Sequence, residues 1–108
     1  MMPAVETKHD VFRAIADPTR RRILTLLTEK EMSITSITKR FPITRTAVNK
    51  HLMILTDAGL VASRKSGREM RFKLQPEPLK EVQQWVSMFE KYWDDKLSSL
   101  RQYVESDE

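Results

Sequence analysis

Cysteine is absent from the sequence, and glycine occurs only twice. Without thiols there can be neither a disulfide framework nor a thiolate metal site. With so little glycine, the tight backbone approaches of a nucleotide-binding loop are not expected. Neither a glycine-rich phosphate loop, a pair of catalytic carboxylates nor a nucleophile with an adjacent base is visible, which argues against an enzyme. No apolar run approaches the ~20 residues of a membrane span, and MMPAVETKHD lacks the apolar stretch of a signal peptide. The simplest expectation is a soluble cytoplasmic protein without membrane contact. The two histidines, His9 and His51, are far apart in sequence and stand at no ligand spacing, so neither a metal nor a cofactor is expected.

What is present is charge, unevenly spread. Of the 108 residues, 40% are hydrophobic and 31% charged, which is enough for one modest core. Residues 17–73 hold 13 Lys/Arg against 5 Asp/Glu, a net of +8. Residues 74–108 hold 4 against 8, a net of −4. A polyanion would be drawn to the middle of the chain and not to its last third.

Periodicity divides the chain into short elements. Val11, Phe12, Ile15 and Ala16 stand at helical spacing in 9–16, and Asp17-Pro18 then caps and opens a second helix with the stripe Ile23, Leu24, Leu26 and Leu27. Ser33 and Thr35 are both plausible caps for a third helix carrying Ile34, Ile37 and Phe41, which Pro42 ends. Thr44 can cap a fourth, running to about Ala58 and closed by Gly59. The period then shortens. Met70, Phe72 and Leu74 alternate with Arg71 and Lys73, Leu60–Arg64 is a plausible partner strand, and Ser66-Gly67 supplies the turn. From Glu77 to about Val104 neither Gly nor Pro intervenes, which allows a helix of ~28 residues and ~42 Å. Leu79, Val86, Trp93 and Leu100 repeat every seven residues along it, with Val82, Phe89 and Tyr103 between them and Lys96 the one polar break.

A short helix, a tight turn, a longer helix and a basic hairpin make a winged helix-turn-helix: mainly α, with a small β-hairpin and a long C-terminal helix. The expectation is one domain over 1–108, with the helix-turn-helix at about 33–58, the wing at about 60–74 and the last helix at about 77–104. On the fourth helix Val48, Leu52 and Leu55 share the inward face, and Thr46, Asn49, Lys50 and Met53 fall opposite. Asn49 can bond the N6/N7 edge of adenine, Lys50 the O6/N7 edge of guanine, and Thr46 a base edge or a thymine methyl. Arg45, in the first turn, suits a phosphate, as do Lys39 and Arg40 at the end of the preceding helix. Arg64, Lys65 and Arg68 flank the wing turn and are candidates for phosphate or minor-groove contact. His51 can bond a phosphate or satisfy a neighbouring group. Arg20, Arg21 and Arg22 point about 100° apart, so not all can face one partner. The remaining alternative is a winged-helix protein-interaction module, which would not need a basic outer face. An RNA reader would carry aromatic stacking platforms that the basic region lacks.

Three stretches together resemble the arsenic-repressor family, the ArsR/SmtB-type regulators. They are FRAIADPTRRRILTLL at 12–27, TRTAVNKHLMILTDAGLV at 44–61 and SGREMRFKL at 66–74. The resemblance spans almost the whole chain. It implies a winged-helix homodimer that binds a palindromic operator in double-stranded DNA and usually represses. Many members sense metals through cysteines in the first helix of the motif; SITSITKRF has none. Others use His and carboxylates on the first or last helix, but this last helix has no His and His9 stands alone. The chain looks like the branch without a metal site; a small-molecule effector is not readable. The stripe on the last helix is too long for so small a core to cover. Phe12, Leu79, Val82, Val86, Phe89, Trp93 and Leu100 are therefore expected to face a second copy.

Overall fold

The computed structural model describes residues 10–106. His9 therefore lies outside the described residues. The order is α1 (Val11–Ala14), α2 (Pro18–Leu27), β1 (Met32–Ser33), α3 (Ile34–Thr38), α4 (Arg45–Asp57), β2 (Val61–Ser66), β3 (Glu69–Leu74) and α5 (Leu79–Ser106).

Side-chain caps set the helix starts. The carboxylates of Asp10 and Asp17 accept from the amides of Arg13 at 2.7 Å and Arg20 at 3.0 Å. The hydroxyls of Ser33 and Thr44 do the same for Ser36 and Ala47, at 3.1 Å each. Each satisfies an amide that the first helical turn leaves orphaned. Of the two caps open to α3, Ser33 is the one used. The α1 helix is a single turn, shorter than the 9–16 periodicity suggests, because Ile15 and Ala16 turn the chain toward the Asp17 cap. At the other end of α4, Gly59 adopts φ +77°, which an L side chain resists. The amide of Leu60 then reaches the carbonyl of Leu55 and that of Gly59 the carbonyl of Thr56, both at 3.0 Å, a Schellman closure.

The sheet has three strands rather than the two of a simple hairpin. Its order is β1-β3-β2, all antiparallel. Met32 pairs with Phe72 and Ser33 with Arg71, so the wing is sewn to the segment that leads into α3. Gly67, at φ +64°, occupies the first position of the two-residue hairpin loop.

The core gathers residues from every element but α5: Val11 and Ala14, Ile23, Leu24 and Leu27, Met32, Ile34 and Ile37, Val48, Leu52 and Leu55, and Leu60, Val61 and Phe72. From α5, Leu79 and Val82 pack against its edge. From Gln83 to Glu105 every side chain of α5 is exposed. The helix leaves the head as a spar, and the described residues span 69 × 43 × 21 Å. An aromatic edge ties its root to α1, with Phe12 and Trp85 at 5.7 Å between ring centroids, and within the helix Trp85 meets Phe89 at 5.2 Å. Among the described residues no helix is long and apolar enough to cross a membrane.

Candidate nucleic-acid interface

The faces of α4 are sharply divided. Val48, Leu52 and Leu55 are buried to within 1% of completely, which fixes the helix rotation. That rotation leaves Arg45, Thr46, Asn49, Lys50 and Met53 exposed together. The outward face is polar and basic, with one thioether; Met53 is 61% exposed. The Asn49 amide nitrogen lies 3.8 Å from the Met53 sulfur, one turn along. A guanidinium nitrogen of Arg45 lies 3.4 Å from the Thr35 hydroxyl of α3, a long contact that leaves most of its donors unspent. Between this face and the wing runs an open groove of about 620 Å³, lined by Arg45, Thr46, Asn49 and Met53 on one side and Ser63 and Met70 on the other.

His51 is half-buried beside this face. Its Nδ1 lies 3.3 Å from Nη1 of Arg20 and 4.0 Å from Oδ2 of Asp17. A guanidinium can only donate, so Nδ1 is the acceptor and the neutral ring carries its proton on Nε2. The neighbouring group that His51 satisfies is thus Arg20. Desolvation pushes the Asp17 carboxyl upward. Hydrogen bonding from the Arg20 amide and the charge of Arg20 act against it, and the carboxyl is held below its ordinary value.

The arginine run divides by reach, as its 100° spacing requires. Arg20 turns back to α1, donating from Nε to the Ala14 carbonyl at 2.7 Å and from Nη2 to the Arg13 carbonyl at 3.2 Å. Arg21 donates to the Ile15 carbonyl at 2.7 Å. Both cap the end of α1, and of the three only Arg22 has no such tie among the described residues. Lys39 and Arg40 are exposed where α3 ends. They rim a concavity of about 220 Å³ shared with Lys30 and Arg71.

The three wing cations differ. Arg64 forks onto Glu31, with Nε 3.0 Å from Oε2 and Nη2 2.7 Å from Oε1. Lys65 and Arg68, nearer the tip, are exposed and make no such contact among the described residues. The Glu31 tie was not legible in the sequence. Its one faint signal was that the hairpin register sets Arg64 opposite Arg71, an arrangement that calls for a counter-charge.

The residues expected at a second copy fall into two groups. Leu79 and Val82 are half-buried on their own head, and Phe12 is half-buried edge-on to Trp85. Val86, Phe89, Trp93 and Leu100 are uncovered, the last two about 60% exposed. The part of the stripe nearest the head is thus satisfied within the chain, and only the rest lacks a cover. No cluster of His, Asp or Glu that could hold a metal occurs among the described residues.

Comparison with known proteins agrees with this architecture. A helix-turn-helix domain model matches residues 15–64. The transcriptional repressor SdpR of Bacillus subtilis is 33% identical over 89 residues, which cover 82% of this chain and 99% of that protein. An ArsR-like transcriptional regulator from Rhodococcus, 36% identical, superposes with a TM-score of 0.64 over 86% of this chain and 88% of its own. A second crystal structure, of an ArsR family transcriptional regulator, is 30% identical with a TM-score of 0.69, over 77% of this chain and 91% of that one. Together with the α3-turn-α4 unit, the hairpin and the long last helix, these matches show that the chain belongs to the ArsR/SmtB-type family of winged helix-turn-helix transcriptional regulators.

Proposed function

We propose that the protein acts as a homodimeric repressor that reads a palindromic operator in duplex DNA, with α4 lying in the major groove. The observation that carries this reading is the outward face of α4. A fully buried stripe turns Thr46, Asn49 and Lys50 to solvent side by side, and these are side chains whose donors and acceptors match base edges. Arg45, Lys39 and Arg40 surround that face, and Lys65 and Arg68 extend it along the wing; phosphates are their natural partners. His51, held by Arg20, keeps only Nε2 for a further donor role.

The dimer part of the reading rests on α5. Val86, Phe89, Trp93 and Leu100 form an uncovered apolar row. Fully burying one such side chain is worth on the order of 1.5–3 kcal/mol. A second copy, pairing through this row and the neighbouring α1, would cover it and set two recognition helices ~34 Å apart, one turn of the duplex. The acidic residues of α5 suit a place away from the phosphates.

Duplex binding followed across ionic strength tests the proposal. A dimer that meets ~6–10 phosphates loses on the order of 10³–10⁵ in affinity between about 50 and 200 mM salt. A flat salt response, or no binding to any duplex at low salt, favours a winged helix that docks on protein instead.

A further inference from the structure

The hairpin places two arginines where they should repel. In the β2–β3 register Arg64 is directly opposite Arg71, and like charges in that relation weaken a sheet. Glu31, the residue just before β1, resolves the conflict. Its carboxylate takes the Arg64 fork through both oxygens, at 3.0 and 2.7 Å. The same Oε1 accepts from Nε of Arg71 at 3.2 Å, and the Glu31 carbonyl accepts from Nη2 of Arg71 at 3.3 Å. The next residues, Met32 and Ser33, pair with β3. One side chain therefore ties both strands of the hairpin to the base of α3, at the point beyond which only the tip projects. The Arg64 hydrogen bonds hold the Glu31 carboxyl below its ordinary value even though partial desolvation opposes them.

A lone exposed ion pair is worth little. This one has fork geometry, a second arginine and a strand pairing beside it. It also bears on what the wing can do at DNA. If Arg64 let go of Glu31 to take a phosphate, it would exchange one bidentate oxyanion for another. The carboxylate would then keep only Arg71, at 3.2 Å, and would stand beside a polyanion with one arginine fewer to balance it. The exchange gains little, whereas Lys65 and Arg68 have nothing to give up.

We infer that Glu31 is a positioning residue that sets the wing and withholds Arg64 from the duplex, leaving Lys65 and Arg68 to make the wing's phosphate contacts. The inference rests on the reading of the hairpin as a DNA-facing wing.

The test is the slope of log affinity against log salt, measured by fluorescence anisotropy with the full chain and a labelled random-sequence duplex. Lys65→Ala and Arg68→Ala each flatten the slope by about 1 for every phosphate no longer neutralised, roughly a fourfold effect across a fourfold change in salt. Arg64→Ala leaves the slope at its parent value. Glu31→Gln steepens it by about 1 per protomer, because a freed guanidinium joins the interface; if Glu31 only supported folding, the slope would flatten as the wing came undone. The charge exchange Glu31→Arg with Arg64→Glu restores the pair and the net charge, so affinity and slope return to within about twofold of the parent. If Arg64→Ala flattens the slope as Lys65→Ala does, and the exchanged pair binds weaker by tenfold or more, Arg64 is itself bound to a phosphate and the inference is overturned. If none of the three alanine variants moves the slope, the hairpin is not at the duplex, and the wing reading falls together with it.

Discussion

Helices α4 and α5 are both amphipathic, and each leaves one face uncovered; what differs is the chemistry of that face. On α4 it carries Thr46, Asn49 and Lys50, side chains that water satisfies. On α5 it carries Val86, Phe89, Trp93 and Leu100, which water does not satisfy. Equal exposure therefore has opposite meanings. A polar uncovered face is stable alone and suits a wet, charged partner that comes and goes. An apolar uncovered face of this length calls for a dry and lasting cover. The charge distribution runs the same way, with +8 over residues 17–73 and −4 over 74–108.

The sharpest way to break this contrast is to make the α5 face polar. Trp93→Glu with Leu100→Glu touches no residue of the head, so the head should keep its fold. The protein is expected to sediment as a monomer, and its affinity for a two-half-site duplex to fall by on the order of 10²–10⁴ as binding to the second half-site ceases to be intramolecular. A double variant that still sediments as a dimer would show that the α5 row is not the interface. The covered face of α4 should respond in the other currency, stability. Leu52, which is 1% exposed, lies at the centre of the head, and Leu52→Ala is expected to destabilise it by about 2–5 kcal/mol. Chemical denaturation would read that change as a lower midpoint with an unchanged slope.

Much of the architecture was legible because local chemistry and global fold agree. Asp17-Pro18, Ser33, Thr44 and Gly59 each mark a helix end through a side chain or a backbone angle that only a few residue types supply. The faces of α4 followed from 3.6-residue periodicity alone. What could not be read depends on residues distant in sequence. β1 is two residues long, too short for any period, and exists only because β3 passes beside it. Glu31 is one acid among others until the fold brings Arg64, 33 residues on, and Arg71, 40 residues on, to its oxygens. Arg20 and Arg21 look like free cations in a basic run, yet both reach back to close α1. The heptad stripe of α5 shows where apolar residues recur, but not that Leu79 and Val82 turn to their own head while Trp93 and Leu100 stay uncovered. Periodicity reports a face; it does not report who covers it.

The proposed operator reading rests on the α4 face, and one titration addresses it directly. A duplex enriched from random fragments and a scrambled duplex of equal length would be titrated against the parent chain and against the Thr46→Ala, Asn49→Ala, Lys50→Ala triple variant. These side chains are solvent-exposed, so the melting temperature should hold. A good bidentate base contact is worth about 1–3 kcal/mol of discrimination, so the preference for the enriched duplex should fall by at least tenfold while scrambled binding weakens only modestly. A triple variant that keeps the parent's full preference would contradict the claim that this face reads the operator.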